Sequence, residues 1–146
     1  MREAVIVSTA RTPIGKAFRG AFNDTQAQEM AGHAIAEAVK RSKVSKEEID
    51  DVIIGAAGQQ GSQQGNIARQ SLLRAGLPVS VAGMSLDRQC ASGMMAIATA
   101  AKEITEDGMT ITVGGGVESV SLVRNENFRM DRARAVSYTH LRAHET

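Results

Sequence analysis

From Ala91 to Ala101 the chain reads Ala-Ser-Gly-Met-Met-Ala-Ile-Ala-Thr-Ala-Ala, and no charged side chain appears until Lys102. Most of these residues favour a helix, which the pattern predicts from about Ala91 to Glu106. A helix with no polar face is buried on all sides. One sheet covers one side only. The segment therefore asks for a sheet beneath it and a further layer above it, and the remaining sequence does not obviously supply that second cover. On physical grounds alone the chain reads as part of a larger layered structure.

The other elements support an α/β class. Ala4-Val5-Ile6-Val7 is a short, continuous, β-branched run that predicts a strand covered on both faces, and Val52-Ile53-Ile54 is a second, ending at Gly55. Val81 to Leu86 and Thr110 to Val113 are further strand candidates. Between them lie helical patterns. Ala27, Met30, Ala31, Ala34, Ile35, Ala38 and Val39 form one apolar stripe at spacings of three and four, preceded by a capping-box match at Thr25 and Gln28. Ser45 with Glu48 marks a second, short capped turn. Asn66 is placed to cap a helix that runs to Ala75 and stops at Gly76, with Pro78 beyond. Arg11 to Asn23 and Gly55 to Gly65 read as loops. Strands alternating with helices predict a largely parallel sheet.

Charge and cysteine usage narrow the function. The chain of 146 residues holds 17 Lys+Arg against 16 Asp+Glu, a formal net charge of +1. Such a balance gives no broad electrostatic footprint for nucleic acid or anionic lipid. No apolar stretch is long enough to cross a bilayer. A single cysteine forms no internal disulfide, and Met1-Arg2-Glu3 followed by so short an apolar run does not match a secretory signal, so a reducing, cytoplasmic setting is expected.

Residues 136–146, VSYTHLRAHET, differ in composition from everything before them and hold the only Tyr. The string resembles one reading frame of a transposase-type library adapter, and it is set aside as a non-native tail. His140 and His144 within it have helical i,i+4 spacing, but the adapter resemblance removes the reason to read a metal site there.

The one cysteine, Cys90, lies where a strand meets the uncharged helix. Free N–H groups and the positive end of the helix dipole at such a junction favour an anion, and a thiolate is one. An ordinary thiol with pKa near 8.5 is only a few per cent ionised at neutral pH, whereas a helix N-terminus with a nearby base brings it to about 7 or lower. A small packed core residue is the competing reading. Position alone does not choose between them.

The surrounding text is more specific. Leu86-Asp87-Arg88-Gln89-Cys90-Ala91-Ser92-Gly93 resembles the nucleophile segment of the thiolases, N-R-x-C-[AS]-S-G. Val113-Gly114-Gly115-Gly116-Val117-Glu118-Ser119 is similar to their GG-x-ES segment, and Val7 to Gly15 and Gly65 to Pro78 resemble their counterparts in the same order. Asp87 departs from the family's usual Asn.

The resemblance implies a thiolase-like αβαβα layered fold of which this chain is the N-terminal half only, with residues 1–135 a partial N-terminal domain. It implies acyl transfer between a 3-oxoacyl-CoA or acetyl-CoA and coenzyme A, with Cys90 as the acyl-thioester nucleophile. Coenzyme A and acyl-CoA then serve as substrates, no cofactor is tightly bound, no metal, nucleic acid or membrane takes part, and the parent is a homodimer or homotetramer. Family members carry a catalytic His in G-H-P and an acid/base Cys in C-x-G-G-G. Neither motif occurs here, so the chain itself is expected to be inactive. His33 matches no catalytic position and reads as a structural or surface residue. Glu118 reads as structural near the site. The run from Arg124 to Arg134 reads as a solvated charged loop or as the first basic edge of a CoA-cradling region. Two alternatives stand beside this reading: a β-ketoacyl synthase-type condensing enzyme, which shares the fold and a Cys at the same helix start, and a non-catalytic assembly module with a packed Cys.

Overall fold

The computed structural model describes residues 2–124. The segment 136–146, with His140 and His144, and the charged run beyond Arg124 lie outside the described residues. Strands β1 (Asp51–Gly55), β2 (Ala82–Leu86) and β3 (Thr112–Gly116) form a parallel sheet in the order β2-β1-β3. Asp51 pairs with Ala82 and Thr112 at one end, and Gly55 with Leu86 and Gly116 at the other.

The central strand shows why a continuous apolar run was needed. Val52 and Ile54 face helices α1 (Ala27–Ser42) and α2 (Ile67–Arg74) and pack with Ile35, Val39, Ile67, Ala68 and Leu72. Ile53 faces the other way, onto Ala96 and Ala100 of helix α3 (Ser92–Thr105). Val52 and Ile53 are fully buried, and each such side chain contributes about 1.5–3 kcal/mol. The described residues thus form helices, a sheet and a helix in layers. A short helix, α4 (Val120–Val123), was not signalled in the sequence. Among the described residues no helix is long and apolar enough to cross a membrane.

Local signals hold where a side chain caps backbone. Asn66 Oδ1 accepts the Arg69 N–H at 3.0 Å and the Ser85 hydroxyl at 2.9 Å, while its Nδ2 donates to Gly83 O at 2.6 Å, tying α2 to β2. The Ser45–Glu48 capping box is present, on a 3-10 turn. Gly76 ends α2 with a left-handed φ of 75°, the conformation for which glycine is the usual residue.

Three expectations are corrected. Ala4–Val7 is no strand: Val5, Ile6 and Val7 are exposed, because the run pairs with none of the three strands, although the outer edges of β2 and β3 carry no strand among the described residues. The Thr25–Gln28 capping box does not form; Gln26 is the N-cap of α1 and makes no side-chain cap bond. The last strand starts two residues later and ends three residues later than Thr110–Val113; its start is delayed because the Asp50 carboxylate takes the Thr110 and Ile111 N–H groups at 2.7 and 3.1 Å before the ladder begins. The uncharged helix α3 behaves as its pattern implied for a chain that lacks the second cover: Ser92, Ala96, Ala100 and Glu103 are its buried face against the sheet, while Met94 is 77% and Ile97 47% exposed on the side that no described element covers.

Candidate active site

The three strands end on one side of the molecule, and in parallel α/β sheets that is the side where ligands bind. β2 ends at Leu86, and the next residues make the tight turn that carries Cys90 into α3. Asp87 Oδ1 accepts the Gln89 N–H at 2.7 Å, and Gln89 takes a left-handed φ of 50°. The Arg88 N–H donates to Ser92 Oγ at 2.8 Å, and that hydroxyl donates to Gln89 O at 2.6 Å. The turn is therefore held from both ends. An amide oxygen accepts such a bond as well as a carboxylate does, so Asp in place of Asn keeps the Gln89 contact. Cys90 is a free thiol and it is exposed.

Glycines let the helix come this close. A Cβ at Gly55 would stand 2.2 Å from the Ser92 carbonyl carbon, one at Gly116 2.9 Å from Gly93 Cα, and one at Gly114 2.7 Å from Ile97 Cα. The Gly114–Gly116 run thus serves helix–sheet contact. Neighbouring Gly115 points to the opposite face, toward Ile54.

Glu118 lies beyond the end of β3. Its carboxylate accepts N–H bonds from Ala57 (2.9 Å) and Gly58 (3.2 Å) and from Gln63 Nε2 (2.7 Å). Sequence reasoning missed Gln63. It sits in a Gln-rich stretch that reads as a polar loop, and no periodicity marks it as the fully buried residue it is. His33 is exposed on α1, a surface residue as expected.

A family model, the N-terminal domain of thiolase, matches residues 4–144. The chain belongs to the thiolase family. A beta-ketoadipyl-CoA thiolase of Pseudomonas putida is 41% identical over 122 residues, and a 3-ketoacyl-CoA thiolase of Bacillus subtilis is 40% identical over 123. The acetyl-CoA acetyltransferase of Escherichia coli is 38% identical over 122 residues. The crystal structure of the Bacillus anthracis acetyl-CoA acetyltransferase superposes with a TM-score of 0.77 at 41% identity, over 83% of this chain and 30% of that one. These three sequence matches use 83–84% of this chain but only 30–32% of each relative. The α/β fold expected for the N-terminal part of a thiolase is thus the fold observed.

Proposed function

We propose that residues 1–135 are the nucleophile-bearing part of a thiolase that transfers acyl groups between 3-oxoacyl-CoA or acetyl-CoA and coenzyme A, with Cys90 as the nucleophile. The observation that carries the reading is the exposed thiol in a braced turn, at the start of α3 and at the carboxyl edge of a parallel sheet. The similarity to proteins named thiolase and acetyl-CoA acetyltransferase supports it. Residues 136–146 take no part in the proposal.

In the degradative direction the Cys90 thiolate attacks the 3-keto carbon, the C–C bond to the α-carbon breaks, and acetyl-CoA leaves as an enolate that must gain a proton. A second coenzyme A then takes the acyl group from sulfur as a new thioester. In the synthetic direction acetyl-CoA acylates the thiol and a second acetyl-CoA is deprotonated for condensation. Both directions need an acid/base for the α-carbon and donors for the enolate and oxyanion. The family's G-H-P and C-x-G-G-G segments supply these, and neither is in this sequence. We therefore propose that the parent protein is an active acyltransferase that works without a tightly bound cofactor and assembles as a homodimer or homotetramer in the cytoplasm, and that the 146-residue chain is inactive.

Two measurements test this. Reading the source DNA past Ala135 should reveal an imidazole-bearing and a second thiol-bearing segment, and the completed protein should form an acyl adduct on Cys90 that Cys90→Ala abolishes. An intact mass showing acylation elsewhere would sink the assignment. For the 146-residue chain, CoA-dependent turnover that disappears in Cys90→Ala would overturn the claim of inactivity.

A further inference from the structure

Past the ends of the strands, one side chain takes over the ladder. The Ala56 N–H reaches Leu86 O at 3.0 Å and the Val117 N–H reaches Gly55 O at 3.1 Å. The next two amides, Ala57 and Gly58, donate to the two oxygens of Glu118 instead. Gln63 donates to Glu118 Oε1 and also to Gly58 O at 2.6 Å, and its own oxygen accepts the Ser119 N–H. An ionised carboxylate, acceptor-only with two oxygens, suits three converging donors, whereas an amide would turn a donor toward one of them. The approach is tight: a Cβ at Gly58 would stand 2.7 Å from Val123 Cγ1 and 3.0 Å from Glu118 Oε1.

This clamp is linked to the cysteine turn by backbone. Gly55, just before the clamped loop, presses on the Ser92 carbonyl; Gly116, just before Val117 and Glu118, presses on Gly93. Ser92 and Gly93 form the start of α3, separated from Cys90 only by Ala91. The three atoms nearest the Cβ position of each of these glycines are all backbone, so displacement of either exit is carried to the start of α3.

We propose that Glu118 is a positioning residue: by holding the exits of β1 and β3 together it sets the place of the first turn of α3, and with it the sulfur of Cys90. Its functional meaning rests on Cys90 being the acyl nucleophile, while its geometry does not. Glu118 acts through backbone and touches no reacting atom.

The test uses Glu118→Gln and Glu118→Asp in the 146-residue chain, read by amide hydrogen exchange and by the rate of Cys90 alkylation with iodoacetamide as a function of pH. Gln removes an acceptor. Asp keeps the charge but is one methylene short, and it provides the milder variant if Gln prevents folding. Exchange should quicken roughly tenfold or more at Ala57 and Gly58 and also at Ser92 to Met95. In the Asp variant the alkylation profile should differ from that of the wild type, because the sulfur has moved relative to its surroundings. Faster exchange confined to Ala57 and Gly58, with Ser92 to Met95 unmoved, would overturn the proposal, as would an alkylation profile of the Asp variant identical to that of the wild type. The two readings fail differently. Slow wild-type alkylation with the exchange coupling intact counts against Cys90 as nucleophile, whereas rapid alkylation without the coupling counts against Glu118 as its positioner.

Discussion

Adding one methyl group at Gly114, and the same methyl at Gly115, should have opposite consequences. A Cβ at Gly114 would lie 2.7 Å from Ile97 Cα, 3.0 Å from Ala96 O and 3.1 Å from Ala100 Cβ. Carbon atoms rest at about 3.5–4.0 Å, so α3 must withdraw by about 0.8 Å or more. Two of the three atoms are backbone and cannot rotate away. Withdrawal loosens the packing of Ile53, Ala96 and Ala100, all at or near full burial, and a gap of that size forfeits about a quarter to a half of each contact's attraction. Overpacking costs about 1–3 kcal/mol, and this site belongs at the upper end, near 3. At Gly115 the nearest atom is Ile54 Cδ1, at an ordinary 3.6 Å and at the movable end of a side chain. Alanine there removes the backbone entropy cost of glycine, worth about 0.5–1 kcal/mol. Urea unfolding followed by far-ultraviolet circular dichroism, at matched low protein concentration, should separate the two variants by about 2 M for a slope near 2 kcal/mol/M. Midpoints that coincide, or Gly115→Ala as the weaker of the two, would refute the picture of a helix seated directly on the glycine backbone.

The remaining expectations are these. Glu103 is buried with one carboxylate oxygen unpartnered, and its pKa is raised by desolvation first and then by Asp51 and Asp107. A raised folded-state value means that the folded chain holds the proton more tightly, so stability should increase as pH falls from neutrality toward the ordinary carboxylate range. Glu103→Gln should add about 1 kcal/mol at pH 7 and flatten that dependence, and unchanged urea midpoints across the range would count against it. Asp50 acts in the opposite sense: the Thr110 and Ile111 N–H bonds lower its pKa, so its contribution is lost on acidification below the ordinary value. Asn66→Ala should cost about 1–2 kcal/mol through the lost cap, and a urea midpoint unchanged from the wild type would contradict this. With Val5, Ile6, Val7, Ile14 and Met94 each more than two-thirds exposed, the chain should self-associate as its concentration rises, and a concentration-independent monomer mass by light scattering would be the contrary result.

Elements whose cause is local were legible in the sequence. Asn66 caps α2 and Gly76 ends it through groups within a few residues of each other, and the apolar run at Val52 to Ile54 announces a strand covered on both faces. Cys90 was legible for a different reason: the words around it and around Glu118 match a family's motifs. Ala4–Val7 shows the limit of the first kind of argument. Its apolar pattern states that cover is wanted, but not which strand edge it joins, and in the described residues the run joins none.

The linear sequence determined the class of elements, their order, and the presence of one thiol at a strand-to-helix junction, because propensity, capping and hydrophobic period act over short stretches of chain. Only the tertiary structure decided that three successive glycines point alternately to two faces of a sheet, that Gln63 is buried while its neighbour Gln64 is not, and that Glu118 grips amides some sixty positions earlier in the chain. Those outcomes depend on which backbones approach within a few ångströms. That proximity is set by packing between segments distant in the chain, and neither composition nor periodicity encodes it.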